Sequence, residues 1–154
     1  MIVVSDTSAI TALLQISRAD LFLQLYGEVL IPVAVRDELL ATHAQLPPFL
    51  QVRTVNDAAE VYRLKRELDL GEAEALALAK QYHADLLLID ELRGRKIAQR
   101  EGIPFIGLMG VLLQGKQTGR IASVRPVVAE LEKVAGFRVS TAVKEIVFRN
   151  AGEP

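Results

Sequence analysis

Hydrophobic positions along this chain fall into two rhythms. Ile2-Val3-Val4, Val29-Leu30-Ile31 and Leu86-Leu87-Leu88-Ile89 are short aliphatic runs, bounded by polar residues, that read as buried strands. Pro104-Phe105-Ile106-Gly107 reads as another short strand, and Val52 to Val55 as a fifth. Between them the spacing is helical. Ser8 to Ile16 places Ile10, Leu13 and Leu14 on one side, and Arg18 to Tyr26 gives a second short helix. Pro32 suits the first position of a helix running to about His43. Asn56 or Asp57 caps one that reaches about Leu68. Asp69 to Tyr82 is apolar nearly all round, which predicts a buried helix. Leu92–Arg100, Leu108–Lys116, Pro126–Val134 and Ser140–Phe148 complete the set. Strands of this kind alternating with helices predict an α/β fold, a mostly parallel sheet with helices on both faces, in one domain over residues 1–154.

Composition narrows the chemistry. At 51% hydrophobic and 24% charged, the 154 residues can build a core, so disorder as a whole is excluded. The absence of cysteine excludes disulfides and thiolate metal sites and fits a cytoplasmic location. His43 and His83 are too few for a histidine-built zinc site. No apolar run is long enough to cross a bilayer, and no leader precedes the first strand, so no membrane partner is expected. Net charge is −1, but it is unevenly spread: residues 1–90 hold 7 Lys+Arg against 13 Asp+Glu, and residues 91–154 hold 11 against 6. An acidic half suits cations and a basic half suits polyanions, although both surpluses also fit ordinary solvated helix faces.

Four acids stand out by position. Asp6 and Asp90 each follow an aliphatic strand, and in a parallel sheet the two would lie on one edge, where ligands of such sheets bind. Glu38 lies inside the helix after the second strand, next to Leu39, and Glu72 occupies the first turn of the apolar helix. Gathered together, four carboxylates would repel one another unless a cation intervened, and without Cys or much His the oxygen-loving Mg²⁺ or Mn²⁺ fits best. Each acid also has a plainer reading. Asp6 or Ser8 can cap the next helix, Asp69-x-x-Glu72 is a capping-box pattern, and Glu38 beside Asp37 can be a surface pair. Glu74 is read as surface, and Glu91 either faces away or makes an outer contact. Spacing alone supports a possible metal site and nothing finer.

Asp6-Thr7-Ser8 after the first strand resembles the opening motif of PIN-domain nucleases, the family that includes VapC-like prokaryotic toxins. Pro32-x-x-Val35-x-x-Glu38-Leu39, Gly71-Glu72-Ala73-Glu74-Ala75 and Leu88-Ile89-Asp90-Glu91-x-x-Gly94-Arg95-x-x-Ala98 resemble the next three motifs in order. Gly107-Leu108-Met109-Gly110-Val111-Leu112 is similar to the glycine-containing segment that follows the last core strand. The likeness spans residues 2–118 and leaves the C-terminal helices, 126–148, unmatched. It departs from the family at Glu72, where many relatives carry aspartate, and at Glu91, where a second aspartate is common.

The resemblance implies a three-layer α/β/α, PIN-like fold and metal-dependent cleavage of single-stranded RNA. It casts Asp6, Glu38, Glu72 and Asp90 as catalytic ligands of one or two Mg²⁺ or Mn²⁺ ions that acidify a bound water and stabilise charge on the phosphate. Ser8 would orient Asp6 or touch a phosphate, a role less suited to Thr7. Arg93, Arg95, Lys96 and Arg100 would hold the RNA backbone, with Lys116, Arg120 and Arg125 extending the track. The same analogy implies a homodimer held silent by a small antitoxin, docking on the helix with Val61, Tyr62, Leu64 and Leu68 or the one with Val143, Ile146 and Val147. Two rivals remain: a catalytically silent PIN-fold interaction module, and a phosphatase of another α/β fold with Asp6 as nucleophile. The phosphatase expects a second aspartate where Ser8 stands.

Overall fold

A computed structural model describes all of residues 1–154. The chain opens with β1 (Val3–Ser5), whose side chains alternate between the two faces of the sheet. It continues through α1 (Thr7–Gln15), α2 (Asp20–Tyr26), β2 (Val29–Pro32), α3 (Val33–Thr42) and β3 (Leu50–Arg53). Then follow α4 (Ala58–Leu64), α5 (Leu70–Gln81), β4 (Leu86–Leu88), α6 (Leu92–Arg100) and β5 (Phe105–Ile106). Three helices close the chain: α7 (Leu108–Gln117), α8 (Val124–Lys133) and α9 (Thr141–Asn150). No helix is long and apolar enough to cross a membrane.

The five strands form one sheet in the order β3-β2-β1-β4-β5, and every pairing is parallel. Successive residues of β1 feed two separate cores. Val3, with Val29, Ile31 and Leu88, packs under α1, α2, α7 and α8, whereas Val4, with Leu87 and Ile89, packs under α4, α5 and α6. Three layers, α/β/α, result. Strands buried on both faces lose no free energy by being aliphatic throughout, which is why these runs lack an alternating pattern. α5 is buried along most of its length, from Gly71 to Ala79 except Glu74.

Several boundaries move from their expected places, among them the start of α8, at Val124 and not Pro126. Pro32 ends β2 and caps α3 in extended conformation, so Val33 is the first helical residue. α4 stops at Leu64, four residues early, because Asp69 must be extended to cap α5. The strand expected at Val52–Val55 pairs over Leu50–Arg53. Leu64 and Leu68, both expected on a docking surface, are core residues, as is Val147.

β1 is the hinge of the topology. The chain moves outward from it to β2 and β3, then returns to β4 on its other side. At such a reversal the connections leaving adjacent strands turn to opposite faces of the sheet, opening a crevice outside the carboxyl ends of the strands. Asp6 and Asp90 flank this crevice, because Ser5 pairs with Leu88 and the Asp6 N–H donates to the Leu88 carbonyl at 3.0 Å.

Candidate active site

Asp6 holds the cap position of α1, yet its side chain makes no capping bond. Capping therefore does not account for it. The carboxyl is 5% exposed, and burial raises its pKa from 3.8 to about 7, opposed by the Thr7 N–H and assisted by Asp69, Glu38 and Glu91. Those three acids approach from three elements, so the negative charge at this edge is assembled by the fold.

Glu72 resolves a second ambiguity. Half of the capping box forms: Asp69 Oδ1 accepts from the Glu72 N–H at 2.9 Å. The other half does not. The Glu72 side chain is buried against the acids, and its Oε2 has no partner. Burial, then the adjoining Asp69 carboxylate and the charge on Asp6, lift its pKa from 4.5 to about 8. A carboxylate that declines an available backbone donor and stays buried is poorly explained as a helix cap.

Glu38 reaches the pocket from the exposed side of α3. Its Oε2 accepts from the Thr7 hydroxyl at 2.5 Å, and it lies against Gly71, where an added Cβ would sit 2.5 Å from Oε1. Gly71 thus leaves the room that Glu38 needs. Thr7, rather than Ser8, is the hydroxyl that fixes an acid; Ser8 lines the cleft beside Asp90 and Glu91.

Asp90 is held differently. Its Oδ1 accepts from the Leu108 N–H at 3.0 Å and from Arg95 Nη2 at 3.1 Å, and Arg95 Nε also donates to the Ile89 carbonyl at 3.1 Å. Oδ2 is buried and unpartnered. Burial outweighs these donors and raises the pKa of Asp90. Gly107 makes this possible, because a Cβ there would meet Arg95 and stand 2.9 Å from Asp90 Oδ1.

The basic residues of α6 are largely committed elsewhere. Arg93 Nη1 donates to the Glu67 carbonyl at 3.1 Å, and Arg100 pairs with the Glu67 carboxylate at 3.2 Å, while Arg95 serves Asp90. Lys96 is exposed. In the expected extension of the track, Lys116 pairs with Glu153 at 2.9 Å and Arg125 bonds the Glu153 carbonyl and lies over Phe148, while Arg120 is exposed. Glu74, expected at the surface, accepts from the Ala34 N–H at 3.0 Å and so caps α3.

The charge of Glu38 acts on Asp6 and that of Asp6 on Glu72, with Asp90 at the same edge of the sheet, but the side chains do not close into a group of three that could hold an ion. Two buried carboxylate oxygens without partners, Glu72 Oε2 and Asp90 Oδ2, are the feature that a bound cation would satisfy. All-oxygen donors suit a hard divalent ion. The residues fit Mg²⁺ or Mn²⁺.

Over residues 2–153 the sequence matches the family described as the PIN domain. The chain belongs to the PIN-domain family. No curated protein matches it. PIN domains are usually nucleases, and they generally use divalent metal ions such as Mg²⁺. For this PIN domain, sequence reasoning overlooked Asp69, which presses on both Asp6 and Glu72, and left Glu91 open, although its charge acts on Asp6 and Asp90 alike. Asp69 was hidden by doing two things at once. Its capping pattern was readable; its charge next to Glu72 depends on the half-formed box.

Proposed function

We propose that this PIN domain is a metal-dependent endoribonuclease that hydrolyses single-stranded RNA, with Asp6, Glu38, Glu72 and Asp90 as ligands of one or two Mg²⁺ or Mn²⁺ ions. The observation that carries the reading is the pair of orphaned oxygens on Glu72 and Asp90, beside carboxyls whose pKa values burial raises, to about 7 at Asp6 and about 8 at Glu72. When bound, the ion supplies positive charge to the phosphate oxygens and acidifies water.

The chain's own groups do the positioning. Thr7 holds Glu38 in place, Asp69 fixes the Glu72 backbone by accepting from its N–H, and Arg95 with the Leu108 N–H fixes one oxygen of Asp90 while leaving the other free. Placement within a fraction of an ångström matters, because loss of orientation costs rate even when every group is present. The adjoining cleft, about 420 Å³, has room for a nucleotide.

Attack by water, not by the ribose 2′-hydroxyl, leaves a 5′-phosphate on the downstream fragment. Cleavage of single-stranded RNA that requires Mg²⁺ or Mn²⁺, yields 5′-phosphate ends and disappears in both Asp6→Asn and Asp90→Asn supports the reading. Cleavage that survives both substitutions sinks it. The same reading extends to a VapC-like toxin, homodimeric and held silent by a small antitoxin. Tyr62, 71% exposed on α4, and Val143 and Ile146 on α9 are the apolar side chains left for such contacts.

A further inference from the structure

Asp90 also borders a cleft, part of whose lining belongs to none of the motif segments. Ser8, Asp90, Glu91 and Arg95 form one side of the cleft; Phe137 and Arg138, on the connection between α8 and α9, form the other. This connection is fixed rather than loose. After α8 the chain turns at Gly136, and the Phe137 N–H donates back to the Leu131 carbonyl at 2.9 Å. Phe137 packs against the larger core, and the Ser140 hydroxyl caps α9 by accepting from the Val143 N–H. Arg138 is thereby carried on an anchored segment, with its side chain exposed at the cleft.

An acidic crevice repels the polyanion it would cut, so a cation in the cleft has to offset that repulsion. Arg95, also in the cleft, is occupied by Asp90 and the Ile89 carbonyl. Arg93 and Arg100 are turned to Glu67. Arg138 alone among the guanidinium groups lining the cleft bonds to nothing in the chain.

We propose that Arg138 is the substrate-gripping residue of this nuclease: it holds a backbone phosphate of the single strand across the cleft from Asp90, in place of the basic face of α6. The proposal rests on the nuclease reading above. A guanidinium suits the task because its planar fork meets two phosphate oxygens at once. Phosphate contacts position the strand and carry no base information, so the effect of Arg138 is independent of sequence.

The test measures binding of a short fluorescein-labelled single-stranded RNA of mixed sequence over a series of salt concentrations, together with steady-state cleavage in Mn²⁺. The proteins are the full chain, Arg138→Ala, Arg138→Lys and Arg93→Ala. In Arg138→Ala the plot of log affinity against log salt becomes shallower by about 0.7, the increment for one phosphate on a single strand. KM rises roughly tenfold with kcat little changed, the pattern for an interaction made equally in ground and transition states. Arg138→Lys restores the slope and part of the affinity, and Arg93→Ala moves neither. An unchanged slope in Arg138→Ala, with the full chain binding and cutting normally, overturns the proposal and spares the nuclease reading. A full chain that neither binds nor cuts the RNA overturns both.

Discussion

Two clusters of carboxylates in this molecule behave in opposite ways. At the edge near the end of α5, Glu60 accepts from Arg63 and from Lys80, and Glu101 pairs with Arg63. These hydrogen bonds pull Glu60 down to about 2 and lower Glu101 as well. In the crevice, Asp6 is pushed up to about 7 and Glu72 to about 8. The residue types are the same. What differs is that the first cluster contains its own cations and stays in contact with water, whereas the second buries acids around acids. Charge balanced within the chain in one place and left unbalanced in another is what the proposed cation would offset.

Removing one acid from each cluster breaks the comparison most directly. Asp6→Asn should lower RNA cleavage by about a thousandfold, since several kcal/mol of charge stabilisation is at stake and each ~1.4 kcal/mol is a factor of ten. In metal-free protein at pH 8 the same substitution should raise Tm, because the cost of burying the charge exceeds what the Thr7 N–H returns. Glu60→Gln should do the reverse, leaving cleavage unchanged and lowering stability slightly. If Asp6→Asn destabilises the metal-free chain at pH 8, the account of the crevice is wrong.

The pH dependence of stability sharpens the contrast. Asp6 and Glu72 bind protons more tightly in the folded chain than in the unfolded one, whose values are near 3.8 and 4.5. Their folded-state advantage is present at low pH and is lost as pH rises from about 4 to 8. Metal-free protein should therefore melt several degrees lower at pH 8 than at pH 6, and Mn²⁺ should recover the difference at pH 8 while doing little at pH 5. Glu60, with its depressed pKa, contributes above about pH 4.5 and is lost on acidification toward pH 2. Melting curves across pH, with and without Mn²⁺, separate the two limbs.

Smaller effects test the supporting groups. Gly107→Ala forces Arg95 off Asp90 and should reduce cleavage roughly tenfold while the chain stays folded, a geometric loss of the kind a slight misplacement causes. Smallest is Glu60→Gln itself, where loss of partly exposed pairs to Arg63 and Lys80 should cost less than about 1 kcal/mol by denaturant unfolding.

Much of this was legible in the chain. The aliphatic runs that became β1, β2 and β4 could be little else, and acids directly after two of them had to emerge on one edge once the strands ran parallel. What the sequence hid was direction. Glu38 and Asp37 look alike on a helix, and only the Thr7 hydroxyl and the space beside Gly71 show which one turns inward. The basic run on α6 read as a phosphate track, but Glu67 draws Arg93 and Arg100 away. Glu74 looked like a surface acid because the amide it accepts from lies forty residues earlier in the chain. Arg138 carried no local signal, since its importance lies in which cavity the α8–α9 connection borders.

The central strand also sets when such a pocket can exist. Val3 and Leu86 are partners in the sheet, so the first acid waits for more than eighty further residues before the last one can stand beside it. A chain still emerging from the ribosome can pair the first strand with the second, but it holds Asp6 with no Asp90 beside it. Any cutting power thus arrives late and all at once, only in chains whose synthesis has already passed the messenger's middle.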